Sequence, residues 1–411
     1  MLARRNLLAG AAGAGLALAH RPLHLLAAEP PPTPAPLTEG LPAGVADIAR
    51  LEALPGKRPL IKLTYRPPNY ETPVEYFDSV ITPNDAFFVR YHLADIPEVD
   101  PATWRLSIGG AAAGQPFALS LDQLRQEFEP VEVVAVCQCS GNRRGLSQPH
   151  VQGIQWGLGA MGNARWKGAR LKDVLARAGL KPEAVEIAFA GADAPPLEQT
   201  PDFQKSLPVW KATDEHTLIA YEMNGAPLPH WNGFPARIVV PGWTATYWLK
   251  HVTSIEALPQ PFAGYWTKTA YRVPAALFPS VQRFRTQEGE ASTPITEIAV
   301  NSIITGPGTG ATLAAGRPAE VRGLAWDGGY GIARVDVSTD GGASWRPAEL
   351  GQDLGRFSFR PWRLEFVPAK GESTLLARAT NAAGQTQVET AIFNPPGYQH
   401  NVVPRVRVTA A

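Results

Sequence analysis

Forty prolines among 411 residues limit what this chain can become more than any other feature. Ordinary usage is about 5%, and each proline removes a backbone donor and interrupts a helix or a central strand. A bundle of long helices is the wrong template. Short elements joined by many irregular connections are expected instead, and the segments between the prolines agree. "WRLSIGG" (104–110) alternates as a strand, and "LSLDQLRQEF" (119–128) has apolar residues at helical spacing behind a Ser cap. "VEVVAVCQC" is β-branched and reads as a buried strand running into the Ser-Gly-Asn turn, while "GARLKDVLARAGL" (168–180) is a helix closed by Gly179. "ARIVVPGW" (236–243) is a strand ended by Pro-Gly.

After about Thr293 the texture changes. Runs such as "ITEIAVNSII", "AEVRGLAW", "ARVDVSTD", "WRLEFVPA" and "RVRVTAA" follow one another, separated by turn signals such as "STDGGAS". That rhythm is the signature of a β-sandwich. The length favours two domains. We place a mixed helix-and-strand domain at residues 36–285 and an immunoglobulin-like sandwich at 286–411. The class is α+β. No Walker loop occurs, so a phosphate-binding nucleotide loop has no support. Thirty-eight basic residues against 37 acidic ones argue against a general nucleic-acid or membrane-surface role.

The first residues read as an address. In "MLARRNLLAGAAGAGLALAH" the adjacent Arg4 and Arg5 precede an apolar run from Leu7 to Ala19. That run is short of the ~20 residues a membrane span needs, so a signal peptide is preferred to an anchor. Twin arginines before a weakly hydrophobic core point to the twin-arginine exporter and the periplasm; the alternative is a plain secretory signal. With the proline-rich spacer that follows, residues 1–35 are set apart from the fold.

Export changes how "AVCQCSGNRRG" (135–145) is read, because it holds the only two cysteines, Cys137 and Cys139. A disulfide is the first hypothesis in an oxidising compartment. One intervening residue holds the pair near the limit of bridging distance, and so small a loop stabilises little. At least one thiolate therefore has other work, and a soft metal is its usual partner. Cations stand near it in sequence or recur downstream: Arg90 and His92 in "FFVRYH", Arg143 and Arg144, then Arg237 and Lys250. Thiolate and cations together suggest a metal centre acting on a small oxyanion.

These residues carry a resemblance to the sulfite oxidase family of molybdenum enzymes. The hallmark is Cys139-Ser140-Gly141-Asn142-Arg143-Arg144, and three more blocks follow in order: "IQWGLGAMGNARWKGARLKDVL", "AYEMNGAPLPHWNGFPARIVVPG" and "VRGLAWDGGYGIARVDVSTDGGASW". Within the family the chain is most similar to catalytic subunits of periplasmic sulfite dehydrogenases that work with a c-type cytochrome. The resemblance implies a molybdenum–molybdopterin cofactor, with Cys139 as the protein's one metal ligand and Cys137 as a small buried side chain. It implies that Phe88, Arg90, Tyr91 and His92 line the cofactor and substrate pocket, and that Asp193 contacts the pterin. Arg237, Trp248 and Lys250 would hold the pterin's phosphate and ring. Tyr271 is implied as the active-site tyrosine, Arg144 as a substrate-pocket arginine and Trp156 as its neighbour.

Two departures matter. Asn232 stands where vertebrate members have a cofactor-contacting histidine, which His230 could replace only if the loop shifts. Asn394-Pro395-Pro396-Gly397 lacks the arginine that vertebrate members send into the substrate pocket. His92 is then expected to carry more of the anion binding, with a charge that grows as pH falls.

The activity implied is oxidation of sulfite to sulfate, with electrons passed singly to a small separate c-type cytochrome, since the chain has no C-x-x-C-H haem motif. No membrane anchor or nucleic-acid partner is expected. Rival readings are a periplasmic molybdopterin reductase of sulfoxides, which lacks the C-terminal sandwich; an assimilatory nitrate reductase, which carries haem and flavin domains; and a non-catalytic binding protein on the same scaffold.

Overall fold

The computed structural model describes residues 51–411. The leader and spacer expected at residues 1–35 lie outside them. Among the described residues no helix exceeds the seven residues of Leu171–Arg177, and none is long and apolar enough to cross a membrane. Local chemistry sets the helix ends. Ser120 and Gln123 form a reciprocal capping box on Leu121–Gln126, and Gly179, at φ +64°, closes the turn after Leu171–Arg177.

Three sheets build the first part of the chain. One runs Leu51–Glu52, Leu60–Thr64, Asn69–Glu71, Val89–Arg90. A second orders Lys205–Pro208, Glu186–Gly191, Val252–Leu258, Leu106–Gly109, Phe117–Leu119, its Val252–Leu258 and Leu106–Gly109 strands lying parallel. The third pairs Pro130–Gln138 with Met161–Arg170, then Leu218–Met223, which also holds Arg237–Val239. Its register places Cys137 opposite Gly162. A Cβ at residue 162 would stand 2.4 Å from the Phe87 ring, so this glycine lets the 87–92 segment close over the end of the cysteine strand.

The later residues form the expected sandwich. One sheet orders Asn301–Gly306, Ala319–Trp326, Arg360–Phe366 and Glu349–Leu350; the other orders Ala311–Leu313, Arg405–Ala410, Gly371–Asn381, Ile332–Ser338 and Arg346–Pro347. Val321, Val335, Trp362, Leu375 and Ala377 fill the space between them. The fold is α+β. Arg272–Pro274 pairs with Ser292–Pro294, so the boundary read at residues 285 and 286 falls inside the connection of a two-stranded ribbon. A second apolar cluster joins the two parts, with Phe77, Val136 and Met161 from the first packed on Ile298, Ile303, Leu324 and Trp326 from the second. Trp326 Nε1 donates to Gln138 Oε1 at 2.6 Å, one residue from each cysteine.

Candidate active site

The cysteine strand ends at Gln138, and the chain then folds back on itself. Asn142 N donates to Cys139 O, Arg144 N to Gly141 O, and Cys139 N to Ala160 O. Asn142 Oδ1 accepts from Ala160 N, and the buried Glu71 carboxylate accepts from Gly157 N at 2.7 Å and Gly159 N at 2.6 Å. Burial raises the Glu71 carboxyl to about 7, against the pull of those amides. Two tight segments are thus locked together, and Cys139 is presented to a cavity.

Phe88, Arg90, Tyr91, His92, Cys139, Asp193, Asn232, Arg237, Trp248, Lys250 and Tyr271 all line that cavity. Most residues read from the sequence therefore converge from six separate stretches. Phe87, Ser140, Phe203, Trp231, Ala245 and Thr246 complete the wall. Cys137 also faces the cavity rather than serving only as packing. Its Sγ lies 3.9 Å from Arg237 Nη2, and burial raises its thiol to about 11.

Arg144 and Trp156 are placed elsewhere. Arg143 adopts φ +69°, and neither arginine of the motif is among the lining residues. Arg143 donates to the carbonyls of Ser302 and, at 3.0 Å, Val402, pinning the loop to the sandwich. Arg144 donates through Nε to Pro396 O at 2.7 Å and through Nη1 to Ile154 O. Gly141 lies against it, where a Cβ would stand 2.7 Å from the guanidinium. Trp156 is buried behind the wall, edge-on to Phe88 with centroids 6.5 Å apart.

The remaining cations of the wall are Arg90, Arg237 and Lys250. Arg237 Nη1 donates to Asn232 O and Nη2 to Trp248 O at 2.8 Å, while its Nε has no partner. Lys250 Nζ donates to Arg90 O at 2.6 Å and lies 3.0 Å from the Tyr91 ring centroid. Burial, then their mutual repulsion, pushes Lys250 well below its ordinary pKa; burial alone lowers Arg237. Asp193 is raised to about 6 by burial, against the pull of Lys250. An anion placed here would restore both cations.

His92 departs from expectation. Its ring lies parallel to Phe203 with centroids 3.6 Å apart, and Nε2 is hydrogen-bonded to the Tyr271 hydroxyl. Burial first, then Arg90, Lys250 and Lys205, holds its pKa well below 6.5. His92 is therefore a neutral hydrogen-bonding group, not a charge that grows toward acid. Burial also raises the Tyr271 phenol above its ordinary value, although Arg90 opposes this, so the hydroxyl keeps its proton.

Asn232 lines the wall, but its amide is occupied: Oδ1 accepts from Lys57 Nζ at 2.7 Å and Nδ2 donates to Phe88 O. His230 does not replace it and packs against Trp231 and His251 instead. His251 and Lys57 escaped the sequence reading. The His251 Nδ1 faces Phe234 O at 2.6 Å, so it carries the proton, and Nε2 accepts from Tyr91 OH at 2.8 Å.

A pterin cofactor fits this wall. Ser140 Oγ, Thr246 Oγ1 and Arg237 Nε are buried polar atoms without partners, and they meet the cations around Cys139. Among the described residues no three His, Cys, Asp or Glu side chains gather.

Residues 92–266 match the oxidoreductase molybdopterin binding domain, and residues 292–411 match the Mo-co oxidoreductase dimerisation domain. Mitochondrial sulfite oxidase of Macaca fascicularis is 38% identical over 87% of this chain and 67% of its own length. That of Homo sapiens is 38% identical over 86% of this chain and 66% of its own, so this chain spans about two thirds of those relatives. Among solved structures, the sulfane dehydrogenase SoxCD of Paracoccus pantotrophus superposes with a TM-score of 0.71 at 25% identity, covering 89% of this chain and 90% of that one. Matched in both domains and at the cysteine loop alike, the chain belongs to the sulfite oxidase family of molybdopterin oxidoreductases.

Proposed function

We propose that this protein oxidises sulfite to sulfate and passes the electrons, one at a time, to a c-type cytochrome. Sulfite and water give sulfate, two protons and two electrons. When bound, the cofactor supplies the oxygen transfer and takes up the electron pair at molybdenum. Cys139 would hold the metal, while Arg237, Lys250, Asp193 and the free hydroxyls of Ser140 and Thr246 would hold the pterin.

The observation that carries this reading is the sharing of one cavity wall by Cys139, Arg90, His92 and Tyr271. Arg90 offers the positive charge a dianion needs. A cation about 4 Å from one negative charge is worth about 4 kcal/mol at an effective dielectric near 20. Tyr271 offers a proton-bearing hydroxyl positioned by His92, suited to bind an oxyanion oxygen and to hold a proton as charge leaves the site. The sandwich at residues 292–411 supports sulfite oxidation over the sulfoxide reductase reading.

The acceptor and the compartment are part of the same proposal. Sulfite gives up two electrons and a c-type haem takes one, so two encounters complete each turnover. A separate small cytochrome docked over the cavity mouth would meet that need. Arg4 and Arg5 support export through the twin-arginine route to the periplasm. The test is sulfite-dependent reduction of ferricyanide by molybdenum-loaded protein, with Cys139→Ser as control. Equal rates in the two proteins would defeat the reading.

A further inference from the structure

The backbone of Tyr271 sits at φ +59°, a conformation that costs an aromatic residue energy and persists only where its surroundings impose it. Its carbonyl accepts from Ile295 N at 2.9 Å, but that bond fixes only the main chain. The ring needs its own support. Tyr398 supplies it. Its ring lies parallel to that of Tyr271, at 6° with centroids 5.5 Å apart, and comes from the C-terminal domain.

The segment Asn394–Tyr398 is shaped for this delivery. Asn394 Oδ1 accepts from Tyr398 N and Asn394 Nδ2 donates to Tyr398 O, both at 2.9 Å, so one buried side chain fixes both the amide and the carbonyl of Tyr398. Gly397 takes φ +62°, and a Cβ there would stand 2.5 Å from Val151 Cγ2, so glycine is required. Arg144 donates to Pro396 O and sets its guanidinium carbon 5.1 Å from the Tyr398 ring centroid. The missing cation of "NPPG" thus has a counterpart of another kind: an arginine of the cysteine loop braces a tyrosine of the sandwich, which braces Tyr271.

We propose that Tyr398 is a positioning residue for the oxidation reaction, acting through the Tyr271 ring, so that the C-terminal domain helps to set the active site. This rests on the sulfite-oxidising reading. The contact with Tyr271 is made by the flat ring of Tyr398, which the Phe variant keeps.

The test uses the full-length holoprotein and has two arms. In equilibrium unfolding, a double-mutant cycle between Tyr271→Leu and Tyr398→Leu should be non-additive. Additive effects would overturn the proposal, and this arm works whether or not the protein oxidises sulfite. In steady-state kinetics with ferricyanide, Tyr398→Leu should lower kcat at least about tenfold with molybdenum and pterin content unchanged, while Tyr398→Phe stays within about twofold of the parent. An unchanged kcat in Tyr398→Leu, a loss explained by lost cofactor, or failure of Tyr398→Phe to preserve the rate would each overturn it. An inactive parent protein with an intact unfolding cycle would instead overturn the function proposed above.

Discussion

His92 and Tyr271 meet side chain to side chain, Nε2 against hydroxyl, with ring centroids 5.6 Å apart at 68°. Because burial and three neighbouring cations keep this imidazole neutral, its contribution is a hydrogen bond, not a charge. His92→Ala should therefore raise the sulfite KM and lower kcat by the same factors at pH 6 and pH 8, with the combined loss about tenfold, the size of one hydrogen bond. Steady-state kinetics at both pH values checks this. A penalty that grows toward acid would restore the charged role.

The two cysteines should separate cleanly. Cys139→Ser exchanges a soft thiolate for a hard oxygen, and at least about a 100-fold loss of sulfite oxidation is expected. Cys137 faces the same cavity beside Arg237, but its buried thiol is held protonated. Cys137→Ser should cost less than about tenfold, within the range of one altered hydrogen bond. If the two results are exchanged, the ligand assignment is wrong.

Arg90 and Arg237 line one cavity with different duties. Arg90→Met should raise the sulfite KM by about tenfold or more while molybdenum content stays constant. Arg237→Met leaves the carbonyls of Asn232 and Trp248 without their donor and removes a buried cation, so it should appear as lost cofactor. Elemental analysis for molybdenum distinguishes the two. Loss of metal in Arg90→Met with retention in Arg237→Met would reverse the assignment.

His251 should leave a mark on stability. Burial and the charge of Lys250 lower its pKa to about 3, although its bond to Phe234 opposes this. The unfolded chain takes up a proton near pH 6.5 and the folded one does not. The contribution is complete above pH 6.5 and is lost as pH falls toward 3, about 2 kcal/mol by pH 5. His251→Gln removes the titrating group, so urea unfolding at pH 5, 6 and 7 should show a shallower acid-side slope than the parent. Identical slopes would place a protonated imidazole in the folded state.

Much of this site was legible because its chemistry lies in contiguous words. "FFVRYH" and "CQCSGNRRG" carry Arg90, His92 and Cys139, and strand periodicity predicts which faces point inward. What escaped depends on geometry that no local pattern encodes. Arg143 and Arg144 bond to the carbonyls of Ser302, Val402 and Pro396, partners far along the chain that no local pattern names. Lys57 lies 175 residues from Asn232, its hydrogen-bond partner, and a lone lysine after a glycine reads as a solvated surface group. His251 and Tyr398 were invisible for the same reason. Each acts through a neighbour distant in the sequence, and "NPPG" reads only as the absence of an arginine. The expected leader lies outside the described residues.

The central claim is two-electron oxidation of sulfite at a molybdenum centre bound by Cys139, discharged one electron at a time. The most direct measurement is the stoichiometry of sulfate formed to ferrous cytochrome c produced by the molybdenum-loaded protein under anaerobic conditions. One sulfate for two cytochromes reduced is expected, and neither product in Cys139→Ser. Sulfate formation without cytochrome reduction, or the same ratio and rate in Cys139→Ser, would contradict it.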